Sequence, residues 1–182
     1  FGKFLNCGQT CVAPDYVYCH AAVHDQLVQA IIGQIEKQFG KEPLKNKNYG
    51  RIINEKHFTR IHGLLAPEKV VWGGQAEPEH CRIAPTVLDD VTWDDAVMQE
   101  EIFGPVLPIL TYEKLEDVVQ VVNSHPHPLA LYLFTEEKPA VQYVTAHCQF
   151  GGGCINDTII HLATSRMGFG GVGASGMGAY HG

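Results

Sequence analysis

The chain has 182 residues, 45% of them apolar and 18% charged, with a mean hydropathy of −0.06 and a formal net charge of −7. That length and balance predict a soluble globular fold with a real core. The acidic balance argues against nucleic acid or an anionic membrane as main partner; no apolar run approaches the ~18 residues of a membrane span, and no signal peptide is visible at the start.

In chain order, residues 16–22 (YVYCHAA) are aromatic and β-prone and predict a strand. Residues 25–39 follow with Leu27, Val28, Ile31, Ile32, Ile35 and Phe39 on one helical face, closed by Gly40. Residues 41–49 are a basic loop. A second helix is predicted over 54–65, with Asn54 as N-cap and Phe58, Ile61, Leu64 and Leu65 facing inward. Val70-Val71-Trp72 is a short strand stopped by two glycines, and 75–80 is loop. Residues 83–88 and 106–110 predict buried strands. Leu115, Val118, Val119 and Val122 mark a third helix. Residues 129–134 (LALYLF) form a continuous apolar strand, as expected when both faces are covered. Pro139 suits the start of a fourth helix reaching Ala146, and 150–156 predict a last strand. Strands alternating with helices predict an α/β fold with a largely parallel sheet flanked by helices. No repeat, low-complexity tract or linker divides the chain.

Six cysteines appear without the regular pairing of a disulfide framework, so reduced thiols in a cytoplasmic protein are the expectation. Cys19, Cys81, Cys148 and Cys154 read as small buried hydrophobes. Cys7, Cys11, Cys19 and His20 make a C-x3-C-x7-C-H pattern that does not fit a usual zinc knuckle, and His125-Pro126-His127 lacks partners at useful spacing; no metal site is expected. Cys11 lies in Phe4-Leu5-Asn6-Cys7-Gly8-Gln9-Thr10-Cys11. There Gly8 and Thr10 leave room for close approach of a substrate, and a helix beginning at Cys11 would favour its thiolate. By local sequence alone, a buried core cysteine and a nucleophile both remain open. Glu100-Glu101 before Ile102-Phe103-Gly104-Pro105 reads by itself as a solvated acidic turn. Gly171-Val172-Gly173-Ala174-Ser175-Gly176 formally matches G-x-G-x-x-G, but no strand-helix context or downstream acid follows, so it reads as a flexible loop.

The Cys11 run and the Glu-Glu-Ile-Phe-Gly-Pro run, in this order, resemble the catalytic half of aldehyde dehydrogenases. Cys11-Val12-Ala13-Pro14-Asp15-Tyr16 and the ending Phe169-Gly170-Gly171-Val172-Gly173-Ala174-Ser175-Gly176-Met177-Gly178 are most similar to the class 3 branch. The resemblance implies that residues 1–182 form a catalytic domain. They would be a fragment of a longer chain whose dinucleotide-binding domain lies outside them. It implies that Cys11, not Cys7, is the nucleophile; Cys7, four residues away, reads as a neighbour able to form a disulfide with it under oxidation. It implies that Glu101 and Phe103 hold the nicotinamide ribose of NAD or NADP, that Phe169 lines the aldehyde pocket, and that Asn156 orients the catalytic loops. For Phe169 the plainer reading, a ring anchoring a loop, stands beside it. Met167-Gly168 departs from the family's usual Leu-Pro at that place. The implied activity is NAD(P)-dependent oxidation of an aldehyde to an acid through a thiohemiacetal and a thioester, in a homo-oligomer, with the oxyanion Asn and the general base upstream and the isolated chain inactive. A non-catalytic, self-associating module, a CoA-acylating relative and a zinc module are the alternatives.

Overall fold

The apolar run after Pro105 becomes the longest strand in the computed structural model, which describes residues 1–182. In chain order the regular elements are Val17–His20 (β1), His24–Phe39 (α1), Glu55–Gly63 (α2), Val70–Trp72 (β2), Ala76–Glu77 (β3), Arg82–Ile83 (β4), Thr86–Leu88 (β5), Val106–Tyr112 (β6), Leu115–Ser124 (α3), Ala130–Leu133 (β7), Lys138–His147 (α4) and Gly152–Ile155 (β8). The chain folds as two compact units, Phe1–Glu113 and Lys114–Gly182. The division follows β6 in a charged turn with no Gly- or Ser-rich tract, so composition gave no sign of it.

In the first unit the sheet order is β1-β6-β5-β2, with β1 and β5 parallel to β6 and β2 antiparallel at the edge. The fold is thus mixed α/β, with a mostly parallel sheet and flanking helices. Strand β6 is central and covered on both faces, which is why it reads as an unbroken apolar run. Helix α1 lays Val28 and Ile35 against Val87, Leu107 and Ile109 on one face of the sheet. Helix α2 sets Phe58 and Ile61 in the other core, with Ile102, Val106 and Leu110. The caps follow the sequence. The Asn54 side chain accepts from the His57 N–H at 3.0 Å, and Gly40 closes α1 at φ +84°, a backbone region that favours glycine.

Two expectations need correction. Residues 83–88 are two strands, because Pro85 has no N–H for a ladder. Residues 82–83 pair with Ala76–Glu77, inside the segment expected to be loop, while 86–88 pair with β6. In the second unit, β7 and β8 form a parallel pair, with Leu131 and Leu133 of β7 packed on Val119 of α3, Val144 of α4 and Cys148 just after it. Strand β7 is only half-buried and Phe134 beyond it is exposed, so the apolar run 129–134 is not covered on both faces within its unit.

Candidate active site

The first unit brings the Cys11 loop and the Glu101–Phe103 turn together through backbone contact. Gly8 adopts φ +74°, and a β-carbon there would lie 2.2 Å from the Gly104 carbonyl oxygen. The space at Gly8 is therefore filled by the protein's own chain rather than left for a ligand. Ahead of it, Asn6 and Cys7 also take positive φ, and the Gln9 amide ties the loop to Arg51 and Ile53 across the unit, at 3.0 Å each. Cys7 points into the core against Tyr49 and Gly50, where burial pushes its thiol pKa up.

Cys11 sits on the turn that follows, closed by the Ala13 N–H donating to the Thr10 carbonyl at 3.1 Å. It is exposed and carries a free thiol, and no hydrogen bond of the chain takes its backbone N–H. No helix begins here, so no helix dipole acts on Cys11: the chain runs from this turn into β1. The Thr10 hydroxyl beside it is buried with no partner.

The Glu101–Phe103 turn is pinned from below by Ile102, which is fully buried and contributes about 2–3 kcal/mol by area. Its N–H donates to Asp15 Oδ1 at 3.1 Å, and the same oxygen is 3.9 Å from the buried Lys3 ammonium. From α2, the Arg60 guanidinium donates to the Ile102 carbonyl at 2.6 Å and the Glu101 carbonyl at 3.3 Å, and pairs with Glu100 at 3.5 Å. Held this way, the turn presents the Glu101 carboxylate and the Phe103 ring, 39% exposed and at φ +49°. Burial pulls the Lys3 pKa down to about 8, against the attraction of Asp15 and Glu101. Partial burial, helped by Asp15, raises that of Glu101, and Lys3 and Arg60 oppose it. Sequence reading missed Lys3, Asp15 and Arg60 as supports of the site. A lysine amid the apolar start Phe1-Gly2-Lys3-Phe4 was the one available signal.

Asn156 and Phe169 belong to the second unit. The Asn156 side chain accepts from the Thr135 N–H at 2.8 Å and donates to the Thr135 carbonyl at 2.9 Å, tying the end of β8 to the loop after β7 at a backbone φ of +57°. Phe169 exchanges two backbone hydrogen bonds with Tyr180 and packs its ring 6.1 Å from that of His161. The glycine run between them is a loop with one 3-10 turn, Gly173–Ser175, closed by Ser175 Oγ accepting from the Val172 N–H. No group of three or more His, Cys, Asp or Glu side chains is arranged to hold a metal ion. No helix is long and apolar enough to cross a membrane.

Known proteins bear on this geometry. The model of the aldehyde dehydrogenase family matches residues 1–182. The chain is 50% identical over its whole length to 4,4'-diaponeurosporen-aldehyde dehydrogenase of Staphylococcus aureus, of which it covers 40%. It is 43% identical to the dimeric NADP-preferring aldehyde dehydrogenase of Bos taurus, covering all of this chain and 76% of that one. Among solved structures, the substrate-bound state of Staphylococcus aureus AldH superposes with a TM-score of 0.97 at 50% identity, over 100% of this chain and 40% of that one. The chain therefore spans about two fifths of the staphylococcal relatives. With a family model matched from end to end and class 3 enzymes among its relatives, this chain belongs to the aldehyde dehydrogenase family.

Proposed function

We propose that the chain supplies the nucleophile and the nicotinamide-side contacts of a class 3-like, NAD(P)-dependent aldehyde dehydrogenase, as the catalytic domain of a longer protein. One observation carries this reading. Cys11 is an exposed thiol with a free backbone N–H, on a loop closed by backbone contact onto the turn that presents Glu101 and Phe103. The residues suit a dinucleotide: the Glu101 carboxylate makes no ion pair within the chain and can accept from two ribose hydroxyls, and the Phe103 ring can wall a nicotinamide face.

In this reading the Cys11 thiol gives its proton to the general base, its Sγ bonds to the aldehyde carbon, and the carbonyl electron pair moves to oxygen. The Cys11 N–H donates to that oxyanion. The nicotinamide, when bound, supplies the hydride acceptor that takes the adduct to a thioester. Water then releases the acid and restores the thiol. A second oxyanion donor and the general base come from segments outside residues 1–182, and these residues alone do not turn over. Within the second unit, Asn156 keeps the loop after β8 in place through Thr135.

The six free thiols support a reducing, cytoplasmic setting. The exposed Phe134, Ile160, Met177 and Tyr180 of the second unit, with the dimeric bovine relative, support a homo-oligomer. The test is NAD(P)H formation from medium-chain and aromatic aldehydes by the protein that carries this chain. Cys11→Ser should lower the rate by roughly 10³-fold or more with folding intact. Full activity in that variant would end the proposal. Acyl-CoA formation in place of acid would move the protein to the CoA-acylating branch, and turnover by residues 1–182 alone would refute their inactivity.

A further inference from the structure

We propose that Cys154 and His161 form a second reactive thiol, apart from Cys11, that captures α,β-unsaturated aldehydes by conjugate addition. The inference does not depend on turnover at Cys11. Cys154 lies on β8, half-buried, with its Sγ 3.7 Å from His161 Nδ1. The His161 ring is 8% exposed and sits in the Ile160–Ala163 turn. Its ring lies 5.8 Å from that of Tyr132 and 6.1 Å from that of Phe169. Gly152 lets it in: a β-carbon there would lie 3.0 Å from His161 Cδ2. His161 Nε2 is buried with no partner, so no competing hydrogen bond draws the ring away from the thiol. Burial also holds the imidazole below its ordinary pKa, which favours the neutral ring; the proposed step uses the tautomer whose Nδ1 lone pair faces Sγ.

A thiol beside a neutral, fixed imidazole is a nucleophile next to its base. In the proposed step the Cys154 S–H proton passes to His161 Nδ1, and Sγ bonds to the β-carbon of the enal. The C=C π pair moves to the α-carbon, which then takes the proton from the imidazolium. The product is a thioether that retains its aldehyde, and no oxidant is consumed. Cys81 is an internal reference, being also half-buried and free.

The experiment uses the protein with Cys11→Ser, exposed to hex-2-enal, reduced with borohydride and read by site-resolved mass spectrometry. Cys154 should be modified at least ~5-fold faster than Cys81 at pH 7. Its rate should fall by clearly less than the about tenfold per pH unit of an unassisted thiol between pH 8 and 6. His161→Phe keeps a ring beside Tyr132 and Phe169 and removes the nitrogen; it should bring Cys154 down to the Cys81 rate and leave Cys81 unchanged. Equal rates at the two sites, or a tenfold slope at Cys154, would overturn the proposal. So would indifference of Cys154 to His161→Phe. The slope is measured without touching His161, so it decides the matter even if that variant does not fold.

Discussion

Arg60 is the place where one side chain most directly controls the candidate site. Its guanidinium donates to two successive carbonyls, Glu101 and Ile102, and pairs with Glu100. Arg60→Ala removes both hydrogen bonds and leaves the part-buried Ile102 carbonyl unsatisfied. A hydrogen bond to a charged group contributes about 1.5–3 kcal/mol. The 2.6 Å bond to Ile102 belongs at the upper end, and the longer, more exposed bond to Glu101 adds less. The Glu100 pair lies near the surface and adds little. The expected loss is about 2–4 kcal/mol, or a Tm lower by roughly 5–15 °C for a chain of this size. Arg60→Lys separates charge from shape, since an ammonium cannot span both carbonyls in a plane; it should recover less than half the loss. The assay is denaturant and thermal unfolding, together with the KM for NAD(P) of the protein carrying the chain. A loosened turn should raise that KM by about tenfold or more and leave the alkylation rate of Cys11 nearly unchanged. If Arg60→Ala changes stability by less than about 0.5 kcal/mol and the cofactor KM by less than twofold, the turn is held by Ile102 and Asp15 alone and the reasoning fails.

Two other outcomes follow from particular contacts. Gly8→Ala places a methyl group against the Gly104 carbonyl at an unfavourable φ, so it should destabilise by more than about 2 kcal/mol and separate the Cys11 loop from the Glu101 turn; unchanged unfolding midpoints would show that the loop can shift freely. His24, at the start of α1, bonds Asp25 at 2.9 Å and Asp89 at 2.8 Å, and these carboxylates raise its pKa above 6.5. A raised pKa means that the folded state holds the proton more tightly. This stabilisation is complete below pH 6.5 and is lost as pH rises through the folded-state value. Tm measured from pH 6 to 9 should fall more in the unsubstituted protein than in His24→Asn, and identical slopes would remove His24 from the account.

Local chemistry was enough for the elements themselves. The apolar spacing of α1 and α2, the Asn54 cap, the Gly40 stop, Pro139 at the start of α4 and the apolar run of β6 act through neighbours a few residues apart, so they are written in periodicity and composition. The thiol and the acidic turn were legible only through resemblance of whole runs, because one cysteine or one Glu-Glu pair has no local signature of use. Contacts between distant segments were decided by the tertiary fold alone. Examples are β1 and β5 beside β6, Gly8 against Gly104, and Asp15 and Arg60 on the turn around Ile102. Cys154 shows the same limit: as a sequence position it read as a small buried hydrophobe, and only the fold places His161 Nδ1 against its sulfur. Such pairings depend on which surfaces meet when the sheet and helices pack, and a hydrogen bond closed across the fold leaves no period along the chain.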